Sequence, residues 1–182
     1  PHQPQPGETN TPTFNLSIHE IMPNPVGNDE NAYPAGEWIE IHNYGTEPVN
    51  ISGFKLKASS RTLTIDSSRM PYTNSTVLDV NSVGLISLST SSSFYLKNSG
   101  QDSLALVAPG DLIVDSVDWT STIEGESMIE SNSSHSGAGP DGIANGQIEF
   151  LVPSAWPTPN RVNPIWPAYS GHTDIEITEI YP

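Results

Sequence analysis

The chain has 182 residues, no cysteine and a formal net charge of −15 at pH 7, with 21 acidic residues against 6 Lys or Arg. No disulfide framework can form. Six scattered cations make no basic surface for nucleic-acid phosphates, so we expect no nucleic-acid partner. No apolar run approaches the roughly 18 residues that a membrane span needs, so we expect no membrane insertion. The length suits one domain with short extensions.

Residues 1–13 are Pro-rich and nearly free of apolar side chains, which predicts an extended tail or linker. Short runs of Val, Ile, Thr and aromatic residues follow, separated by turn residues, and this pattern predicts β-strands. The 14 Gly and 17 Pro residues leave no room for a helical period. Strands are predicted at residues 16–21, 37–42, 54–57, 63–65, 77–80, 85–88, 94–96, 104–107 and 112–119, with weaker patterns at 127–130 and 148–152.

The connections carry recognisable turn chemistry. Pro109-Gly110 fits a type II turn between two strands, because Pro suits its second position and Gly its third. Tight connections are also predicted at residues 43–45 and 98–100, which read Asn-Tyr-Gly and Asn-Ser-Gly. Many short strands at short spacing predict a β-sandwich or a barrel.

Alternation along residues 112–119 places an acidic side chain among apolar ones. Ile113, Val117 and Trp119 share a face with Asp115. A carboxylate buried without partners costs several kcal/mol. We therefore expect Asp115 either to accept hydrogen bonds from backbone N–H groups or to bind a metal ion.

The two ends of the sequence contain the same pattern. Residues 175–182 read Ile-Glu-Ile-Thr-Glu-Ile-Tyr-Pro, and residues 16–23 read Leu-Ser-Ile-His-Glu-Ile-Met-Pro. In both copies apolar residues alternate, and then a glutamate is followed immediately by isoleucine. This shared departure from a period of two predicts a β-bulge and a common origin of the two segments.

Two interpretations of the second copy remain open. In the first, the segment begins the next repeat of a tandem array; in the second, it is a strand that pairs with a neighbouring molecule. Strand addition repeated head to tail does not close and produces a fibre. The candidate self-association residues are Ile175, Ile177, Ile180 and Tyr181. The predicted organisation is a tail at 1–13, a sandwich at 14–166, and a linker with an additional strand at 167–182.

Residues 17–25 end in Met-Pro-Asn-Pro, residues 37–43 read Glu-Trp-Ile-Glu-Ile-His-Asn, and residues 49–56 read Val-Asn-Ile-Ser-Gly-Phe-Lys-Leu. Together with 95–106 and the closing segment 156–163, they resemble the lamin-tail domain family of the prokaryotic, extracellular type. In the closing segment Asn160 stands where the family has Gly. The resemblance covers about residues 15–165. It implies an immunoglobulin-like β-sandwich, here with an extended N-terminal tail and an extra C-terminal strand.

No pattern of catalytic residues emerges. The five histidines form no His-x-x-x-His pair, no cysteine ligand exists, and Ser134-His135 lacks a Gly-x-Ser-x-Gly turn. Glu20, Glu37 and Glu40 are candidates for paired carboxylates, although on strands such residues more often mark a solvated or hydrogen-bonded face. We therefore expect no enzymatic activity and no cofactor other than, as an option, calcium.

Three aspartates in oxygen-rich segments are the calcium candidates: Asp29, Asp115 and Asp141. Calcium needs six to eight oxygen ligands, and none of these segments matches the Asp-x-Asp-x-Asp-Gly loop. Solvated loops are the alternative. Four Asn-x-Ser/Thr sequons mark candidate glycosylation sites if the chain is exported: Asn15, Asn50, Asn74 and Asn132.

The resemblance implies little chemistry, since such domains are appended to secreted hydrolases and nucleases or repeated in surface proteins. The first hypothesis is a non-enzymatic extracellular or cell-surface structural module, assembled with itself or with neighbouring repeats by strand pairing. The second is a binding domain of a secreted hydrolase or nuclease that recognises polysaccharide or protein.

Overall fold

The computed structural model describes residues 13–88, 93–130 and 149–154. Within these residues the structure is all-β, with one 3₁₀ turn at Ser67–Arg69. This confirms the predicted fold class. The strands are β1 (Leu16–Met22), β2 (Trp38–Asn43), β3 (Val49–Asn50), β4 (Lys55–Ala58), β5 (Arg61–Thr64), β6 (Val77–Leu78), β7 (Ser82–Ser87), β8 (Ser99–Ala108), β9 (Leu112–Ser121), β10 (Ser127–Glu130) and β11 (Glu149–Ser154).

Nine strands form one hydrogen-bonded sheet in the order β5-β4-β8-β9-β11-β10-β1-β2-β7, and β3 pairs with β6. β11 joins the two halves, because it runs parallel to β9 and antiparallel to β10. The two halves pack around one apolar core. Ile18 and Ile39 enter it from one half, and Leu56, Leu104 and Val117 enter it from the other. This is the predicted immunoglobulin-like sandwich.

β2 is buried on both faces. Its inward isoleucines belong to the main core. On the opposite face Trp38 packs with Met22 and Leu85 beneath the half-buried Tyr33, forming a second apolar cluster. The loop that carries Tyr33 therefore covers the outer face of this half of the sheet.

The strand predicted at residues 94–96 is wrong, and carboxylates explain why. Leu96 N donates to Glu37 Oε1 at 3.0 Å, and Lys97 N donates to Asp102 Oδ2 at 3.1 Å. Because side chains accept these two backbone hydrogens, this segment needs no strand partner. Its apolar residues still enter the core, which accounts for the strand-like sequence.

Two details of the β8–β9 hairpin also differ from expectation. The predicted connection at 98–100 lies at the start of β8, where the register shifts between Ser99 and Asp102. A second shift, between Leu106 and Val107, changes the alternation of β9. As a result Ile113 is 63% exposed and does not share the buried face of Val117. The predicted turn is confirmed by Gly110, whose φ is 86°.

Candidate functional site

The first strand contains the predicted bulge. The pairing of β1 with β2 shifts register between Ile18 and Glu20. Leu16, Ile18 and Ile21 are at most 1% exposed, so the repeated pattern produces a core strand in its first copy. The second copy, with candidates Ile175, Ile177, Ile180 and Tyr181, lies outside the described residues.

A carboxylate supplements the pairing of β1. β10 pairs with β1 only at Glu20 and Ile21. Nearer the start of β1, the N–H of Ile18 donates to Asp115 Oδ2 at 2.5 Å. The other carboxylate oxygen, Asp115 Oδ1, accepts from the N–H of Ser116 at 2.7 Å. Asp115 thus accepts backbone hydrogens, which was one of its two expected roles. It attaches β9 to the bulged strand.

β5 forms one end of the sheet, and its outer main-chain groups have no strand partner among the described residues. Ile65 N donates to Phe54 O at 2.8 Å. Antiparallel pairs alternate between bonded and non-bonded positions, so Leu63 also bonds toward β4, whereas Thr62 and Thr64 direct their N–H and C=O groups away from it. In the described residues, no strand pairs with that side of β5. We call this row of main-chain groups the β5 edge.

β7 forms the other end, and a loop crosses it. Leu88 N donates to Glu37 O at 3.0 Å, so the same alternation directs the main chain of Leu85 away from β2. Met70 lies in the main core, while the hydroxyl of Tyr72 is hydrogen-bonded to that of Tyr33 over the outer face. The loop between them covers this edge and leaves a cavity of about 140 Å³.

Two lysines line the outer side of β4, next to the β5 edge. Lys55 and Lys57 stand two residues apart, so they point to the same face. Their Nζ atoms lie 3.6 and 3.2 Å from Asp111 Oδ1, and their side chains are 41% and 40% exposed. We call them the lysine pair. Two cations share one carboxylate, so this site carries a local positive charge on an acidic protein.

Asp102 anchors a buried polar network beside β5. Its carboxylate accepts from Arg61 Nη2 at 2.6 Å and from Ser59 Oγ at 2.8 Å. Burial opposes its ionisation, but these hydrogen bonds, those from the Ser103 and Lys97 N–H groups, and Arg61 outweigh it and lower the pKa of Asp102. The Arg61 guanidinium also lies 4.0 Å from the ring centre of Tyr95.

A second buried carboxyl behaves in the opposite way. Burial raises the pKa of Glu37 to about 8, only partly opposed by the hydrogen bond from the Leu96 N–H, and the nearby charge of Asp29 raises it further. Glu37 is therefore mostly protonated at neutral pH. It lies in a cleft of about 210 Å³. The cleft is lined by Asn28, Asp29, Glu30, Glu37, Leu88, Phe94 and Tyr95.

The structure brings together two pairs that are distant in sequence. The rings of His19 and His42 lie 5.1 Å apart. Burial, and secondarily the charge of His42, lowers the pKa of His19 to about 4, and burial also lowers that of His42. Glu20 and Glu40 are register partners with 0% exposure. Because Glu20 and Glu40 are fully buried, a substrate cannot reach them, and they form a polar contact in the interior. Glu37, the third candidate, lies at the cleft instead.

The two calcium candidates in the described part, Asp29 and Asp115, are not brought together at one metal-binding group. Asp29 Oδ2 accepts from Asn98 Nδ2 at 2.9 Å, Asp115 is occupied as described, and Asp141 lies outside the described residues. No group of three or more His, Asp or Glu residues that could hold a metal ion occurs in the described part. Asp29 lies at the cleft with Glu30 and Glu37.

The sequons occupy different surroundings. Asn15, Asn50 and Asn74 are exposed, and Asn132 is not among the described residues. The Oδ1 atom of Asn50 accepts from Ser52 N at 3.0 Å and Thr76 Oγ1 at 2.8 Å. Asn74 lies in an exposed turn, and because the Asn50 amide is engaged in these hydrogen bonds, Asn74 is the better glycosylation candidate of the two.

Sequence reasoning missed the lysine pair and the Glu37 cleft. The spacing Lys-x-Lys in a predicted strand was the available signal for the first. Nothing local could have indicated that Glu37 meets Leu96, 59 positions away. No helix in the described part is long and apolar enough to cross a membrane.

A family model described as Lamin Tail Domain matches residues 9–121. The match spans β1 to β9 and so includes the bulged strand, the lysine pair and both buried carboxylates. Comparison with curated proteins gave no significant match, and comparison with solved structures gave none either.

Proposed function

The chain belongs to the lamin tail domain family, and from that premise we propose that it is a non-enzymatic structural module of an extracellular or cell-surface array or fibre. Modules join by β-strand pairing, in which residues 174–181, the donor segment, add a strand to a neighbouring module or molecule. The observation that carries this proposal is that the donor segment repeats the sequence pattern of β1: alternating apolar residues followed by Glu-Ile.

β1 indicates what this pattern can do. Its apolar residues at 16, 18 and 21 are buried in the core, and the bulge between Ile18 and Glu20 shifts the alternation so that residues 18 and 21 both face inward. A segment with the same alternation and the same irregularity has the side chains needed for an added strand. Strand addition supplies main-chain hydrogen bonds for affinity and side-chain pockets for specificity.

The open β5 edge supports the same proposal. An edge strand with unpaired N–H and C=O groups is a template for another chain. Head-to-tail addition uses two different surfaces, so it need not stop at a dimer. A self partner or a neighbouring repeat satisfies this geometry, and the net charge of −15 argues against nucleic acid as a partner.

Deletion of residues 173–182 tests the proposal. Sedimentation velocity over a range of concentrations should show oligomers for the full chain and a monomer for the shortened one. Deletion of residues 1–8, which removes a similar length outside the family match, serves as the control and should leave the oligomers intact. Equal sedimentation of the full and C-terminally shortened chains would contradict the proposal.

An extracellular location has a separate test in the intact mass of the protein from its native source. Added hexose-type mass that disappears on substitution of Asn74 or Asn132 by Gln supports export, because N-glycosylation accompanies it. A mass equal to that of the bare sequence contradicts the glycosylation proposal. Calcium is tested by the melting temperature in excess calcium and in chelator, where an unchanged value excludes a stabilising site.

A binding role is the second candidate, and the cleft favours it. Tyr95 is 50% exposed beside the carboxyl groups of Asp29 and Glu37. An aromatic ring beside polar groups suits a sugar or a peptide. Titration with oligosaccharides, read by the chemical shifts of Tyr95, should reveal binding, and Tyr95→Ala should remove it. Tyr72, equally exposed but away from this cleft, provides the matched control.

A further inference from the structure

We propose that the β5 edge is the acceptor for the donor segment and that the lysine pair recognises two of its acidic residues, Asp174 and Glu176. This inference rests on the proposed function and specifies the surface that it uses. The partner is a second copy of the pattern at residues 174–181, whether on another molecule or on a neighbouring repeat.

The main-chain geometry determines which donor side chains face outward. Thr62 and Thr64 are exposed on the outer face, and their backbone groups point to the open side of β5. Residues directly opposite each other in an antiparallel pair share a face. Donor residues that bond to these two threonines therefore present their own side chains to the outer face.

The spacing of charges matches on the two sides. Lys55 is the register partner of Thr64, and Lys57 is that of Thr62. Asp174 and Glu176, also two residues apart, would stand opposite the same threonines. Strands are spaced by about 4.8 Å, so each acid would lie about 10 Å from a lysine across β5. That separation is within the combined reach of the two extended side chains.

The intervening donor residue completes the match. Ile175, between the two acids, would face inward opposite Leu63, which belongs to the main core. The apolar layer of the sandwich would then extend by one strand. Alternation alone thus places isoleucine toward the core and both acids toward the lysine pair.

Comparison of the two copies shows that the acids are not required for the strand itself. The residues of β1 and its approach that correspond to Asp174 and Glu176 are Asn15 and Ser17, both uncharged. The first copy forms a well-buried strand without them. The acids that distinguish the donor segment are the ones that would meet the lysine pair, which indicates a role in recognition.

Charge exchange tests the proposal in the full chain. Lys55→Glu with Lys57→Glu should weaken self-association about tenfold in low salt, since exposed ion pairs are individually weak but two attractions become repulsions. Asp174→Lys with Glu176→Lys should weaken it similarly. The four changes together should restore association to within about threefold of the original, measured by sedimentation velocity.

A backbone variant tests the edge independently of charge. Thr62→Pro removes an N–H that β4 does not use, so β5 can still pair with β4 while the edge loses a donor. Self-association should fall at least about tenfold, with an unchanged melting temperature as the check on folding. Val83→Pro, at an outward-directed position of the covered β7 edge, is the control and should leave association unchanged.

The outcomes separate this inference from the proposed function. If deletion of 173–182 abolishes association but the lysine exchange and Thr62→Pro leave it unchanged, the acceptor lies elsewhere and the inference is wrong while the proposed function stands. If the fourfold exchange fails to restore association, recognition by the lysine pair is excluded. If the deletion itself has no effect, the proposed function fails, and this inference fails with it.

Discussion

At one end of the sheet a loop covers β7, and at the other end no described residue covers β5. The loop that joins Met70 in the core to Tyr72 on the outer face crosses the β7 edge and adds apolar contacts there. β5 has only four residues, no such cover in the described chain, and lysines on the neighbouring strand. Covering an edge and charging it are both recognised ways to prevent unwanted pairing. Charge, however, leaves the main chain accessible to a partner of the opposite sign, whereas a loop does not.

Two buried carboxyls accept from consecutive backbone N–H groups, those of Leu96 and Lys97, yet their pKa values shift in opposite directions. Asp102, beside β5, has its pKa lowered because Ser59, two backbone N–H groups and Arg61 together outweigh burial. Glu37, at the end of β2 beside β7, has no cation in hydrogen-bond contact among the described residues, and burial raises its pKa. The two neighbouring acids thus differ because Asp102 is hydrogen-bonded to the Arg61 guanidinium, whereas Glu37 accepts from the neutral N–H of Leu96.

The largest expected effect comes from breaking the ionic network. Asp102→Ala leaves Arg61, whose side chain is 10% exposed, and the N–H of Lys97 without their acceptor. Removal of one partner of a buried pair costs about 3–5 kcal/mol, so the free energy of unfolding in urea should fall by this amount. Asp111→Ala, which removes a carboxylate whose side chain is 70% exposed, is the control and should leave the urea midpoint unchanged.

The Asp102 network also has a defined pH dependence. Its pKa is lower in the folded state, so its stabilisation is fully present above the unfolded value near 3.8 and is lost as pH falls through the folded value. Asp102→Asn should therefore reduce the acid sensitivity of unfolding in that window. If the free energy of unfolding of this variant falls with decreasing pH as steeply as that of the original protein, Asp102 is not the titrating group.

Glu37 should make folding stability change with pH in the opposite direction to Asp102. Its folded pKa of about 8 lies above the unfolded value of 4.5, so folding stability should fall as pH rises from about 4.5 to 8 and then level off. The loss reaches a few kcal/mol at most. Glu37→Gln keeps the acceptor for Leu96 and should flatten this slope, making the variant the more stable protein at pH 8. Urea unfolding at pH 5 and pH 8 measures the difference.

The cover of the β7 edge packs so closely on Gly84 that an added side chain would overlap it. A Cβ on Gly84 would overlap Leu78 Cδ2 and stand 3.0 Å from Met70 Cε. Gly84→Val should destabilise the fold by about 1–3 kcal/mol through overpacking, although valine is the better strand residue. The displaced loop should expose β7, so new self-association that persists after deletion of 173–182 is expected. Val83→Ile is the control, and neither effect should accompany it.

The sequence was sufficient for the features that depend on alternation. It predicted the bulge in β1 and most strands, and it gave the backbone hydrogen bonds of Asp115 as one of two alternatives, because each is visible within a few residues. It failed at residues 94–96, where acidic side chains accept backbone hydrogens in place of a strand partner, and at Ile113, where a bulge reverses the face. Glu37 meets Leu96, 59 positions away, and His19 meets His42 on the neighbouring strand, and such long-range contacts are not present in any local pattern.

The smallest expected effect concerns the lysine pair itself. Lys55 and Lys57 are about two-fifths exposed and share Asp111, so Lys55→Ala with Lys57→Ala should leave the melting temperature unchanged. The same variant should weaken oligomers at low salt and lose this effect near 1 M salt, where charges are screened within about 3 Å. If the fold is stable without Lys55 and Lys57 but the assembly requires them, these charges serve to recognise a partner. Charges that only prevent unwanted pairing would not be required for assembly. A lowered melting temperature with unchanged association would assign the lysine pair to the fold instead.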